Sequence, residues 1–257
     1  MEKKMKLVFW GTVLVFLLYV FFPGLFSGVL GESGTKDASA PSSFAAPLPA
    51  AEPSAGGDRP AAGNPPCVNN ATGVANPLAS EYMTVARTAS GRLDSGRYGN
   101  TRNGGTKMHK GIDIKAPVGT PVYAVCDGVV ESNYLNTARD GDKEAGHYYG
   151  NHVSISGKIN GETVSAFYAH LQQGSLLVKP GDRVTKGQLI GYTGQTGNAY
   201  GNNVPEKHLH FEIRKNGSPV NPEPYLNGEV ARDGSFTGIV CDNIPAGSSG
   251  KYGLTLN

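Results

Sequence analysis

The chain has 257 residues and a formal net charge of +2. A balance so close to neutral leaves no basic footprint for nucleic acid or for an acidic membrane surface. The length allows one or two domains, and much of the abundant glycine and proline lies between residues 31 and 66.

Residues 1–6 carry Lys3, Lys4 and Lys6 against Glu2, and residues 7–30 contain no charge. At helical rise, those 24 residues reach across a hydrocarbon core of roughly 30 Å. The lysines in front favour an N-terminus left in the cytoplasm with the remainder outside, so 1–30 is expected to be one transmembrane helix. A cleaved signal peptide is the alternative. Pro23 and Gly24 would end a shorter apolar core, and 27–31 offers the small residues of a cleavage site. Residues 31–66 are dominated by Ala, Pro, Ser and Gly, with Phe44 as their one aromatic residue. Such a segment buries too little apolar surface to offset its ordering entropy and is expected to be a disordered or extended linker. It serves as a tether that gives an anchored domain reach, or simply as a spacer.

Three cysteines follow. Cys126 lies in an apolar, strand-like run at 122–126 and reads as a buried thiol. Cys67 opens the folded part, expected at 67–228, and Cys241 lies in a glycine-rich, loosely packed extension expected at 229–257. In an oxidising compartment the two could pair, although sequence gives no distance between them. The absence of a Cys-x-x-Cys spacing removes a cysteine zinc site from consideration.

From about residue 77 onward, short branched and aromatic runs alternate with Gly, Asn, Asp and Pro. This pattern predicts strands at 111–114, 121–124, 128–135, 152–156, 163–170, 189–192 and 208–214. One short helix is expected at 76–85. The connection at 133–151 is long and charged, and ends in His147, Tyr148 and Tyr149. Connections of that length in a compact domain are often functional.

Of six histidines, three sit in tight patterns, His109-Lys110-Gly111-Ile112-Asp113 and His208-Leu209-His210. Alternate residues of a strand share a face. His109 and Asp113 would then lie together, with Gly111 leaving space beside a metal and Ile112 and Ile114 facing the core. His208 and His210 would share a face, with Leu209 and Phe211 inward. Side by side, two such strands present His109, Asp113, His208 and His210 to one cleft. Two imidazoles and a carboxylate suit zinc with one position open. Peptide chemistry would also need a base and an oxyanion donor. His208 and His170 at the end of the 163–170 strand are candidates, and spacing alone leaves His147 and His152 as further ones.

The ordered motifs SGRYG at 95–99, MHKGIDIKAPVGTPV at 108–122, AVCDGVV at 124–130, YAHL at 168–171, GDRVTKGQLIG at 181–191, GQTG at 194–197 and KHLHFEI at 207–213 follow one another. They close with VNP at 220–222 and YL at 225–226. Across roughly 88–226 the chain resembles the LytM/lysostaphin-type zinc endopeptidases. The resemblance implies a mainly β fold, a compact antiparallel β-sheet or β-sandwich peptidase domain with an open groove. By motif position it implies His109, Asp113 and His210 as ligands of Zn2+, and His170 and His208 as the two catalytic histidines that are not ligands. It also implies peptidoglycan stem or cross-link peptides as substrate, and with the expected N-terminal anchor this places the chain at a bacterial cytoplasmic membrane with its domain periplasmic or extracellular, or secreted if the segment is cleaved. Local wall opening would suit an envelope-spanning secretion or conjugation machine as partner. Some relatives lose their ligands and recruit other wall hydrolases instead. The 133–151 segment departs from the family's usual short glycine-rich connection; its tyrosines would wall the groove or partly cover it.

Overall fold

We describe a computed structural model of the chain at residues 64–88, 92–201 and 206–244. The expected transmembrane helix at 1–30 and nearly all of the 31–66 linker lie outside the described residues. Seven strands form the main sheet: β1 (Ile112–Lys115), β2 (Gly128–Leu135), β3 (Asn151–Ile159), β4 (Glu162–Leu171), β5 (Arg183–Val184), β6 (His208–Lys215) and β7 (Ser218–Val220). Their order is β5-β2-β3-β4-β6-β7, with β1 also paired to β6, and every pairing is antiparallel. One edge of β6 therefore pairs with β4, while the other is divided between β1 at residues 208–211 and β7 at 213–215. A separate two-stranded antiparallel pair, Pro121–Tyr123 with Leu189–Tyr192, carries Val122 and Ile190 into the same core.

The register sorts the side chains. Leu209 pairs with Ile114, Phe211 with Ile112 and Tyr168, and Ile213 with Ala166, so one face of the sheet is a continuous apolar row. All of these residues are buried. Each fully buried large side chain contributes roughly 1.5–3 kcal/mol relative to exposure. The opposite face pairs His210 with Asp113 and Ala169, Glu212 with Phe167, and Phe167 with Ser154. Chemistry and core thus occupy the two faces of the same strands.

The expected helix at 76–85 does not form. Among the described residues the segment contains only a three-residue 3-10 turn, Ser80–Tyr82. Its backbone is used by distant partners instead. Tyr123 N donates to Pro77 O at 2.9 Å, Lys115 N to Thr84 O at 2.8 Å, and Val85 N to Gly234 O at 2.8 Å. An extended rim satisfied by a sheet outcompetes an isolated short helix, whose nucleation is unfavourable.

The described part of the expected extension, residues 229–244, is more firmly packed than the loose segment expected there. Phe236 of the Glu229–Val230/Phe236–Thr237 pair is buried in the core. The Asn76 side chain donates from Nδ2 to Asn227 O at 2.9 Å and accepts at Oδ1 from Asn227 N at 3.0 Å. A disulfide joins Cys67 to Cys241 across a Cα separation of 4.5 Å and 174 residues of chain. Around it, Asp242 N donates to Val68 O and Val68 N to Asn243 Oδ1, both at 2.9 Å. Closing so long a loop removes much freedom from the unfolded chain.

Cys126 is buried, and burial first, then Asp127, pushes its thiol up to about 11. The native protein is therefore expected to show no thiol to a thiolate-specific reagent near neutral pH, the denatured unreduced protein one, and the denatured reduced protein all three. Reduction is expected to lower unfolding stability by about 2–5 kcal/mol, read as a lower urea midpoint.

Candidate active site

The site assembles at one end of β6. The cross-strand pairing of His210 with Asp113 sets their side chains next to each other on the polar face. His210 Nδ1 lies 2.8 Å from Asp113 Oδ1. His109 Nε2 lies 3.2 Å from the same oxygen and 3.2 Å from His210 Nδ1. His208 Nε2 approaches Asp113 Oδ1 to 3.7 Å. The His170 ring is centred 5.2 Å from that of His208 and 5.8 Å from that of His210. The four rings are 4–6% exposed and Asp113 is fully buried, so the cluster is recessed.

His109 reaches Asp113 by a different route from the one its spacing suggested. His109 ends a separate strand, Lys107–His109, paired with Gly99–Arg102, and the chain bends at Gly111 before β1 begins. The two side chains meet across this bend instead of along one continuous strand. Gly111 is needed for another reason than space beside a metal. A Cβ there would lie 2.3 Å from Phe211 O and 2.9 Å from Glu212 Cγ, so it is the close approach of β6 that excludes a side chain.

The outer nitrogens fix the tautomers. His109 Nδ1 donates to Arg97 O at 2.9 Å, His170 Nδ1 to Thr196 O at 2.9 Å, and His208 Nδ1 to Glu206 O at 3.0 Å. His210 Nε2 donates to Glu212 Oε1 at 3.0 Å. Carbonyls and carboxylates only accept, so in each neutral imidazole the proton sits on this outer nitrogen and the inner nitrogen is bare. Asp113 is held similarly: Thr88 Oγ1 donates to Oδ2 at 2.8 Å and Arg102 Nη2 donates to the same oxygen, leaving Oδ1 for the cluster.

Three acceptor atoms thus converge with no donor of their own, and such an arrangement requires a cation. The ligand atoms of His109, Asp113 and His210 all lie within 4.8 Å of one another. Their mutual spacings of 2.8–3.2 Å are close to the edge of a tetrahedron built on metal–ligand bonds of about 2.0–2.1 Å. Without a metal, a proton on His210 takes the cation's place. Burial opposes that charge, but the hydrogen bonds to Asp113 and then Glu212 outweigh it and lift the imidazole to about 9. Burial also opposes ionisation of Asp113, yet His208 and His109 hold its carboxyl well below the usual range. His170 and His208 go the other way, each pushed down chiefly by burial, with Asp113 partly opposing. Both are therefore neutral near neutral pH.

The other two histidines stand apart. His147 is exposed. His152 is tied up at both nitrogens, to Gly150 O at 2.8 Å and Asn133 Oδ1 at 2.9 Å, and packs against Phe167. Glu212, Arg102 and Thr88 were not anticipated from the sequence. Glu212 was within reach of the same alternation, since residues 208, 210 and 212 share one face. Nothing local to Arg102 or Thr88 points to Asp113.

A profile of peptidase family M23 matches residues 107–222, which include every residue of this cluster except His109's and Asp113's outer partners Arg97, Arg102 and Thr88. The chain is similar to Peptidoglycan DD-endopeptidase ShyC of Vibrio cholerae serotype O1, 39% identical over 135 residues, which are 52% of this chain and 26% of that protein. It is similar to DD-carboxypeptidase/endopeptidase Mpg of Neisseria meningitidis serogroup B, 41% identical over 116 residues, 45% of this chain and 22% of that one. Among solved structures it is similar to the catalytic domain of the prophage-encoded M23 protein EnpA from Enterococcus faecalis, in its A109H mutant. That match has 31% identity and a TM-score of 0.36 over 50% of this chain and 87% of that one. The chain spans about a quarter of the length of the curated relatives it matches. With the ordered motifs and the His/Asp/His cluster inside the matched segment, the chain belongs to peptidase family M23.

Proposed function

We propose that this chain is a zinc endopeptidase that hydrolyses peptide bonds in peptidoglycan stem or cross-link peptides. The observation that carries the reading is the convergence of three bare acceptor atoms beside two neutral histidines. His109 Nε2, Asp113 Oδ1 and His210 Nδ1 would hold the ion. Zinc held there would supply Lewis acidity, polarising a carbonyl and making water a better nucleophile near neutral pH.

The protein's own residues then divide the remaining work. A neutral imidazole accepts a proton at its bare nitrogen, so His208 or His170 serves as the base toward the attacking water. The protonated ring next donates a hydrogen bond where negative charge develops on the carbonyl oxygen. Fixed outer nitrogens mean that neither ring must reorient between the two tasks. Arg102 and Thr88 hold the Asp113 carboxylate in alignment through Oδ2.

The printed names of the relatives, a DD-endopeptidase and a DD-carboxypeptidase/endopeptidase, support a wall peptide as substrate. An outside location is supported by the disulfide, since such bonds persist in oxidising compartments. In this reading residues 1–30 anchor the chain in a bacterial cytoplasmic membrane, 31–66 tether it, and the folded domain works in the periplasm or outside the cell. Service to an envelope-spanning secretion or conjugation machine is part of the same proposal, and gene neighbourhood tests it.

Titration of the full chain with cobalt(II) or zinc is expected to saturate at one ion per chain. His210→Ala and Asp113→Ala are expected to bind none. His170→Ala and His208→Ala are expected to keep the ion but lose about 10²–10⁴-fold in release of peptides from purified walls, read by mass spectrometry on several chemically distinct peptidoglycans. A metallated wild-type protein that leaves every wall intact would instead identify a non-catalytic module that recruits other hydrolases.

A further inference from the structure

The 133–151 segment does more than border the site. From Gly146 to Gly150 the backbone takes positive φ at four of five residues, 57° at Gly146, 54° at His147, 75° at Tyr148 and 63° at Gly150. Two of these are not glycine, and side-chain-bearing residues adopt this conformation only where their surroundings enforce it. His170, in β4, has φ of 60° as well. The two strained places are joined directly, because His170 N donates to Tyr149 O at 2.9 Å.

The segment is also close-packed against the loop at 194–199. Asn198 N donates to Tyr148 O at 3.0 Å and Asn151 N to Thr196 Oγ1 at 2.9 Å, whereas Gln195 Nε2 reaches Asp140 Oδ2 at 2.7 Å only on the exposed part of the segment, outside the strained turn. A Cβ at Gly150 would fall 2.3 Å from Thr196 Oγ1, and one at Gly197 would fall 2.4 Å from Gly150 N. These contacts describe a fixed element and leave little room for a hinged lid.

This rigidity aims one hydroxyl. Tyr149 Oη donates to Glu212 Oε1 at 2.7 Å, the same oxygen that accepts from His210 Nε2. Arg214 Nε donates to Glu212 Oε2 at 2.7 Å, and its guanidinium lies 4.0 Å above the Phe167 ring. The Tyr149 ring stands edge-on to Phe167 at 4.9 Å and 5.5 Å from His210. Glu212 is fully buried, so its two oxygens depend wholly on these three donors for orientation. Partners behind a metal-binding histidine fix its ring and tautomer, and their loss typically weakens metal binding.

We propose that the 133–151 segment is a built-in brace of the metal centre, in which the Tyr149 hydroxyl fixes Glu212 and, through Glu212, the imidazole of His210. Tyr149 and Glu212 are positioning residues, and the segment supports the site instead of shutting it. This rests on the reading of His210 as a metal ligand.

The test is the zinc dissociation constant of the full chain, measured by competition with a chromophoric chelator, together with the melting temperature of each metal-free variant. Tyr149→Phe, which removes only the hydroxyl, is expected to weaken zinc binding about 3- to 10-fold at an unchanged melting temperature. Glu212→Ala is expected to lose about 10- to 100-fold, and Glu212→Gln, which still offers an acceptor to Nε2–H, to fall between the two. Asp140→Ala releases the contact with Gln195 without touching Glu212 and is expected to bind zinc as the wild type does. Wild-type affinity in Tyr149→Phe would overturn the brace and leave the metal reading standing. Equal weakening by Asp140→Ala would also overturn it, by assigning the effect to loosened packing. A wild-type protein that binds no zinc would overturn the metal reading and the brace with it.

Discussion

The whole centre depends on the register of β6 between β1 and β4. With His210 opposite Asp113 on one side and Ala169 on the other, the polar face collects the carboxylate and the imidazoles while Leu209, Phe211 and Ile213 enter the core. A slip of one residue would exchange the faces, burying imidazoles in the apolar row and exposing phenylalanine. Core and chemistry therefore enforce the same alignment. The small Ala169 beside His210, and Gly111 under Phe211 O, let the backbones approach closely enough for the ligand atoms to come within 3.2 Å.

Electrostatics then follow from what stands behind each group. Every inner nitrogen is bare because its outer nitrogen is spent on an acceptor, three times a backbone carbonyl and once a carboxylate. His210 alone has a carboxylate behind it. That asymmetry divides the histidines electrostatically: Glu212 and Asp113 make His210 basic, while burial keeps His170 and His208 neutral. Glu212 is itself held down to about 2, since the hydrogen bond from His210 and the charge of Arg214 outweigh its burial. The arrangement sets one basic imidazole apart from two that burial keeps neutral.

Around this core, distant parts of the chain act as supports. The disulfide and the bonds between 66–76 and 227–243 close the domain at its ends. The 133–151 segment, which is charged and largely exposed over 137–144, ends in a strained turn whose outer residues His147 and Tyr148 remain exposed while Tyr149 turns inward beside His210. Tightening one end of a long connection gives a loop element the rigidity that a positioned side chain needs.

The sequence by itself determined the β class, the alternation that separates the polar face of 208–213 from its core face, and, through the ordered motifs, five candidate residues that the structure places near one another. Period-two patterning and fixed motif spacing are local properties, so they can be read without coordinates. Strand positions at 121–124, 128–135, 189–192 and 208–214 followed for the same reason, each within a residue or so of those observed. The helix at 76–85 was misjudged because its backbone partners include Gly234 and Phe236, far along the chain, where no local propensity records them. Only the tertiary structure decided why Gly111 is glycine, which nitrogen of each histidine is bare, and that Thr88, Arg102 and Tyr149 serve Asp113 and His210. Those roles exist only between segments far apart in the chain, and hydrogen-bond direction depends on where the partner stands in space.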